Sequence, residues 1–230
     1  MGHRSGARRG AAAGPGSQPT RLIGRVLRRL ASRYEIDRFV RRNGPDPFRI
    51  LIGCVISLRT KDEVSYPATE RLFHRAATPR RMLGLPRATI ARLIYPAGFY
   101  NRKAEQIREI SRRLIDSHGG RVPDSLDELL ELPGVGRKTA NLVITLGFDK
   151  PGICVDTHVH RITNRLGWVS TDHPDRTESV LREVLPGRYW IPINETLVRH
   201  GQQICTPLSP ICSRCPVEAD CPRVGVTRSR

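Results

Sequence analysis

Acidic side chains are scarce in this chain. It carries 22 Asp and Glu against 39 Lys and Arg, a formal net charge of +17, and no acid precedes Glu35. Such an imbalance calls for a polyanionic partner, with nucleic acid first among them. Lysine is rare within the basic set, standing only at positions 61, 103, 138 and 150, so a lysine inside a motif is less readily an accident of composition. No apolar run reaches the length of a membrane helix and no signal-peptide core is visible. Nothing alternates with period two over any length, which argues against a sheet. Six cysteines are present, but four crowd between Cys205 and Cys221 instead of spreading as a disulfide framework would, so a reducing compartment is expected.

What is there reads as a string of short helices. Residues 1–20 are rich in Gly, Ala, Ser, Pro and Arg and predict a disordered basic tail. Residues 21–40 carry Leu22, Val26, Leu30 and Ile36 at helical spacing. Asp46-Pro47 is an N-cap followed by proline, and the nearly all-apolar run from Phe48 to Ser57 predicts a buried central helix. Val64 to Phe73, Thr78 to Leu83, Arg87 to Ile94 and Asn101 to Leu114 follow as further helices, the last ended by Gly119-Gly120. Asp175 to Leu185 and Trp190 to Ile204 supply two more. The predicted class is all-α. At 230 residues the chain can hold one large or two small cores.

The stretch from Asp124 to Gly167 carries the chemistry. Asp124 to Glu131 predicts a short amphipathic helix that Pro133 stops. Gly134 and Gly136 allow a tight turn, and helical spacing resumes at Arg137. This helix–hairpin–helix leaves unpaired N–H groups on a Gly-rich backbone at a helix N-terminus, where they can cradle a phosphate. Lys138 lies in the first turn of the second helix, beside Arg137 and the positive end of the macrodipole, a place that favours a nucleophilic amine. Asp156, eighteen residues on, opens the run Asp156 to Gly167, where it caps a helix or serves the amine as a carboxylate partner. Cys205, Cys212, Cys215 and Cys221 then offer four thiolates spaced C-x6-C-x2-C-x5-C. Four cysteines can bind zinc, but the wide loops suit a larger iron–sulfur cluster.

LPGVGRKTAN, VDTHVHRITNRLG and the cysteine pattern, in that order, resemble the endonuclease III group of helix–hairpin–helix DNA glycosylases, over about residues 47–221. The resemblance implies two lobes: a six-helix barrel lobe with the hairpin at residues 41–150, and a discontinuous lobe of residues 21–40 and 151–222 holding a [4Fe–4S] cluster on the four cysteines. Residues 223–230 would be a basic C-terminal tail. It also implies a bifunctional glycosylase and abasic-site lyase of base excision repair, acting on oxidised pyrimidines in duplex DNA. Lys138 would be the nucleophile and Asp156 its assistant. Gly134, Val135, Gly136 and Arg137 would bind the DNA backbone. Phe99, with Asn101 nearby, matches an intercalating wedge, and a core aromatic is the competing reading. Arg59, His158 and Arg161 would make further DNA contacts.

Two departures stand out. Arg59 occupies a place where relatives often have Gln, and the first cluster loop, Thr206 to Ile211, lacks the basic residues relatives carry there. Cys54 and Cys154 read as small core residues. Two alternatives stay open: a thymine or uracil mismatch glycosylase of the same superfamily, and a non-catalytic DNA-binding module. The reading expects a monomer in the bacterial cytoplasm, at the nucleoid. The Arg-rich start keeps a mitochondrial address open, and a nuclear one stays open as well.

Overall fold

A computed structural model describes residues 17–34 and 46–230, and no strand occurs among the described residues. In chain order the α-helices are α1 (Ser17–Ala31), α2 (Pro47–Ser57), α3 (Asp62–Arg75), α4 (Pro79–Leu83), α5 (Arg87–Ile94), α6 (Tyr100–His118), α7 (Leu126–Leu130), α8 (Arg137–Leu142), α9 (Thr157–Arg165), α10 (Pro174–Val184) and α11 (Ile193–Gln203). A π turn, Val143–Gly147, continues α8. The N-terminus departs from expectation in two ways. The helix starts at Ser17 inside the expected 1–20 tail, and it ends at Ala31 short of the expected residue 40. The rest of that tail and residues 35–40 lie outside the described residues.

The central helix forms as its sequence dictates. Asp46 accepts a hydrogen bond from Phe48 N at 3.0 Å, Pro47 fills the first turn, and Phe48 and the run Ile50 to Ile56 are buried. Fully burying each of its large aliphatic side chains contributes about 1.5–3 kcal/mol, so the element is anchored by area alone. Around α2 pack α3, α6, α8 and the π turn, while α4 and α5 lie on α6. Buried side chains from Phe48 to Ile144 make one core. A second core takes Ile23, Val26, Leu27, Leu30 and Tyr34 from the α1 region and joins them to residues from Ile153 to Val217. There α1 and α9 both pack on α11.

The two cores meet through a buried ion pair. Glu178 on α10 has a side chain only 2% exposed and accepts from Arg137 on α8 and Arg182 on its own helix. Arg182 Nη2 also reaches Asn141 Oδ1 at 3.3 Å. Removing the shared carboxylate leaves two guanidinium groups facing each other without a counter-charge. Glu178→Ala is therefore expected to lower stability by about 2–3 kcal/mol, less than a fully buried pair because both arginine heads keep some water. Denaturant unfolding checks this, and an unchanged midpoint would show that the pair does not hold the cores together.

The C-terminal segment is hydrogen-bonded to the fold. Val224 N donates to Arg165 O at 3.0 Å, and Arg230 N donates to Pro210 O at 2.8 Å. Residues 223–230 thus fold back onto the cysteine-bearing loop.

Candidate active site and cysteine centre

The hairpin begins with α7, which Ser125 caps by accepting from Glu128 N, so the helix starts later than the acids at Asp124 suggested. Only Gly134 takes a left-handed conformation, with φ 70°. A Cβ there would collide with the Gln106 side chain, whose Nε2 donates to Pro133 O at 2.7 Å and clamps the turn to α6. Gly136 has φ −93° and opens α8. Nothing lies within 4 Å of where its Cβ would be, so the missing side chain leaves room outside the fold instead of relieving a clash within it. Val135 is buried and fastens the turn to the first core.

Lys138 follows on the exposed first turn of α8. Among the described residues it has no hydrogen-bond or ion-pair partner. Asp156 caps α9, with Oδ1 accepting from His158 N and Val159 N, both at 2.9 Å. Among the described residues its other oxygen, Oδ2, accepts nothing. Capping and chemistry are thus compatible, since one oxygen fixes the carboxylate and leaves the other outward. Lys138 and Asp156 act electrostatically on the same buried neighbours. Buried Cys154 lies within electrostatic reach of both, and so does half-buried His158. Burial pushes the Cys54 thiol up to about 12, and Cys154 is raised by the same cause, so both are inert packing groups beside Lys138.

Several expected DNA contacts have partners inside the fold. The Arg137 guanidinium holds Glu178, with Nε at 2.9 Å. Arg161 donates through Nη2 to Cys205 O at 2.9 Å and Gly201 O at 3.3 Å, tying α9 to the segment after α11. His158 Nδ1 lies 3.2 Å from the same guanidinium, and burial lowers its pKa. Arg59, Phe99 and Asn101 remain at the surface. Phe99 is 63% exposed, which removes the core-aromatic reading.

The four cysteines line a single cavity of about 430 Å³ of empty space, part of it open to solvent, with Ile162, Leu166, Ile204 and Val217 among its apolar walls. Among the described residues no three His, Cys, Asp or Glu side chains converge closely enough for one metal ion. Four soft thiolate donors around an apolar-walled space suit a thiolate-bound metal centre, an iron–sulfur cluster or zinc. Arg165 Nη1 donates to Cys205 Sγ at 3.3 Å and to Thr206 O at 2.8 Å, holding the first loop. His200 is buried between Tyr34 Oη, 2.9 Å from its Nδ1, and Cys215 Sγ, 3.7 Å from its Nε2. Burial pushes the Cys215 thiol up to about 11, so a cationic metal core would supply the positive charge its thiolate needs. Sequence reading missed Gln106, Glu178 and His200, which sit in no motif, and Arg165, which sits in VDTHVHRITNRLG without a role assigned to it.

A fold of this kind, with a lysine in the helix that follows the hairpin and an aspartate capping the next, matches known proteins. The pattern of the HhH-GPD superfamily of base excision DNA repair proteins covers residues 52–187, and the chain belongs to that superfamily. The endonuclease III of Thermotoga maritima is 49% identical over 191 residues, 83% of this chain and 90% of that protein. A trapped endonuclease III–DNA covalent intermediate superposes with a TM-score of 0.78 at 33% identity, covering 89% of this chain and 96% of that one. A thermostable thymine-DNA glycosylase superposes with a TM-score of 0.77 at 27% identity, covering 89% of this chain and 95% of the other. Within the superfamily, this chain is a member of the endonuclease III family.

Proposed function

We propose that the protein is a bifunctional DNA glycosylase and abasic-site lyase that removes oxidised pyrimidines from duplex DNA. The observation that supports this reading is an unpartnered Lys138 amine and a free Asp156 oxygen, whose charges both bear on buried Cys154. The target nucleotide must leave the helix, because its C1′ is shielded within the duplex. Phe99 fills the gap, Arg59 and Asn101 lie alongside, and the amides of Gly134 and Gly136 hold a phosphate, with open space at Gly136 for the close approach.

The Lys138 amine attacks C1′ as the C1′–N bond to the base breaks, and the base departs with the bonding pair and takes up a proton. Asp156 receives the proton the amine loses and offsets positive charge developing on the sugar. Ring opening gives an iminium between Lys138 and C1′. Loss of a C2′ proton then expels the 3′ phosphate by β-elimination, and water releases the lysine. An amine is required because neither a hydroxyl nor a carboxylate forms an iminium.

A cleavage panel of duplexes bearing thymine glycol, dihydrouracil, uracil, abasic and mismatched sites tests the substrate class. Preferential cutting at the two oxidised or reduced pyrimidines supports this reading. Preferential release of mismatched thymine would favour the second one, to which the likeness to a thymine-DNA glycosylase lends weight.

The same reading places a [4Fe–4S] cluster on Cys205, Cys212, Cys215 and Cys221, divides the chain into lobes at 41–150 and at 21–40 with 151–222, and assigns a monomer working in the cytoplasm. The cluster would brace the loops beside α9 and α11, since base removal transfers no electron. Protein purified without air should be brown and contain iron and sulfide in near-equal amounts. Colourless protein containing zinc would overturn the cluster assignment. No described helix is long and apolar enough to cross a membrane.

A further inference from the structure

We propose that Lys103 is a positioning residue, tying the loop that carries Arg59 to the loop that carries Phe99 so that both side chains enter the duplex as one unit. The inference rests on the glycosylase reading above, in which those two residues meet the DNA.

Lys103 sits in the first turn of α6 and is only 4% exposed. Its Nζ donates to Ile56 O and Leu58 O, both at 2.6 Å, and to Thr60 Oγ1 at 2.9 Å. The three acceptors use all three ammonium protons. Ile56 O and Leu58 O are carbonyls at the C-terminal end of α2, where the helix dipole favours a cation. Thr60 extends the clamp across the gap, because its Oγ1 also accepts from Gly98 N at 3.0 Å. Gly98 must stay small, since a Cβ there would meet Arg59 O at 2.7 Å.

The two residues flanking this clamp are unusual in the same way. Arg59 has φ 53° and Phe99 has φ 56°, left-handed conformations that side chains seldom adopt without surrounding support. The Arg59 guanidinium lies 5.9 Å from the centroid of the exposed Phe99 ring. Lys103 also fixes Phe99 through its own backbone, with Lys103 N donating to Phe99 O at 3.0 Å. One buried ammonium therefore holds the backbone and side chain on either side of Arg59 and, through Thr60 and Gly98, the segment that leads into Phe99. Burial pushes the Lys103 amine down to about 8, which leaves the ammonium in place at neutral pH.

The test is a mutant cycle on duplex DNA with an abasic site opposite 2-aminopurine. Lys103→Met and Thr60→Val are each made in the wild-type background and in an Arg59→Ala/Phe99→Ala background. Two readouts follow each protein: the rise in 2-aminopurine fluorescence on binding, and single-turnover borohydride trapping as a function of protein concentration. In the wild-type background each variant should raise the half-saturating concentration, Lys103→Met by about tenfold, the size of coupling between contacting residues. Most of the fluorescence rise should also be lost, while trapping at saturation stays close to wild type. In the double-alanine background the further effect should fall below about twofold.

Equal losses in both backgrounds would make Lys103 a general stability residue and overturn the proposal, as would no loss in either. If Lys103→Met does not fold, Thr60→Val decides, because it cuts the link to Gly98 and leaves the ammonium its two carbonyl acceptors. Wild-type protein that fails to trap would sink the glycosylase reading instead, and the fluorescence arm, which needs no chemistry, would still decide on the clamp.

Discussion

Lys138→Gln should abolish borohydride trapping on an abasic duplex, with a loss of at least about a thousandfold, while leaving the fold and duplex binding nearly intact. The fold is insulated because Lys138 is exposed and has no partner among the described residues. Replacing it breaks no hydrogen bond and empties no core. Binding is insulated because the chain's net charge of +17 spreads over many arginines, and one missing cation changes the phosphate attraction little. Chemistry has no such reserve. A primary amide is not a nucleophile at C1′ and cannot form the iminium that borohydride reduces. Thermal unfolding and gel-shift titration serve as controls beside the trapping assay. Retention of the adduct in this variant would mean that another amine attacks. Lys150 is a poor substitute, since its Nζ is paired with Asp124 Oδ2 at 2.6 Å.

The elements were legible where local rules act alone. Asp46-Pro47 and Thr78-Pro79 cap the helices they announce, and Arg87–Ile94 matches the expected span. Phe48 to Ser57 read as buried because Arg49 and Ser57 are its only polar side chains. Lys138 and Asp156 were legible through motifs, each at a helix start. Long-range partners were not. Nothing in the local pattern around Glu178 says that Arg137 will be its neighbour, and a buried acid in an amphipathic helix looks like any surface acid until the second core is assembled. Arg137 and Arg161 show the converse limit. Their position near the site suggested phosphate, but carbonyl and carboxylate groups from distant segments engage them first. Lys103 was within reach of sequence reasoning, because the scarcity of lysine that marked Lys138 applied equally to it. Its acceptors lie more than forty residues upstream, so the signal had no partner to point at.

Asp156→Asn separates the two duties of that carboxylate. Its Oδ1 holds the first turn of α9 by accepting from two backbone N–H groups, and an asparagine amide oxygen accepts the same bonds. The helix should therefore stay capped, with a stability change under about 1 kcal/mol. What disappears is a negative charge and a proton acceptor next to Lys138. Removing a general base and an electrostatic stabiliser together costs about a hundredfold to a thousandfold in single-turnover base release. Lyase action on a preformed abasic site should suffer less, because the aldehyde already carries the electrophilic carbon and no glycosidic bond needs breaking. Asp156→Ala would combine both losses, adding about 1 kcal/mol of helix destabilisation to the same kinetic defect. Base release and abasic-site cleavage measured on matched duplexes, with unfolding curves for both variants, resolve the three effects. Equal activity of Asp156→Asn and wild type on a damaged base would reduce Asp156 to a helix cap. In that case the charge assisting Lys138 must come from elsewhere.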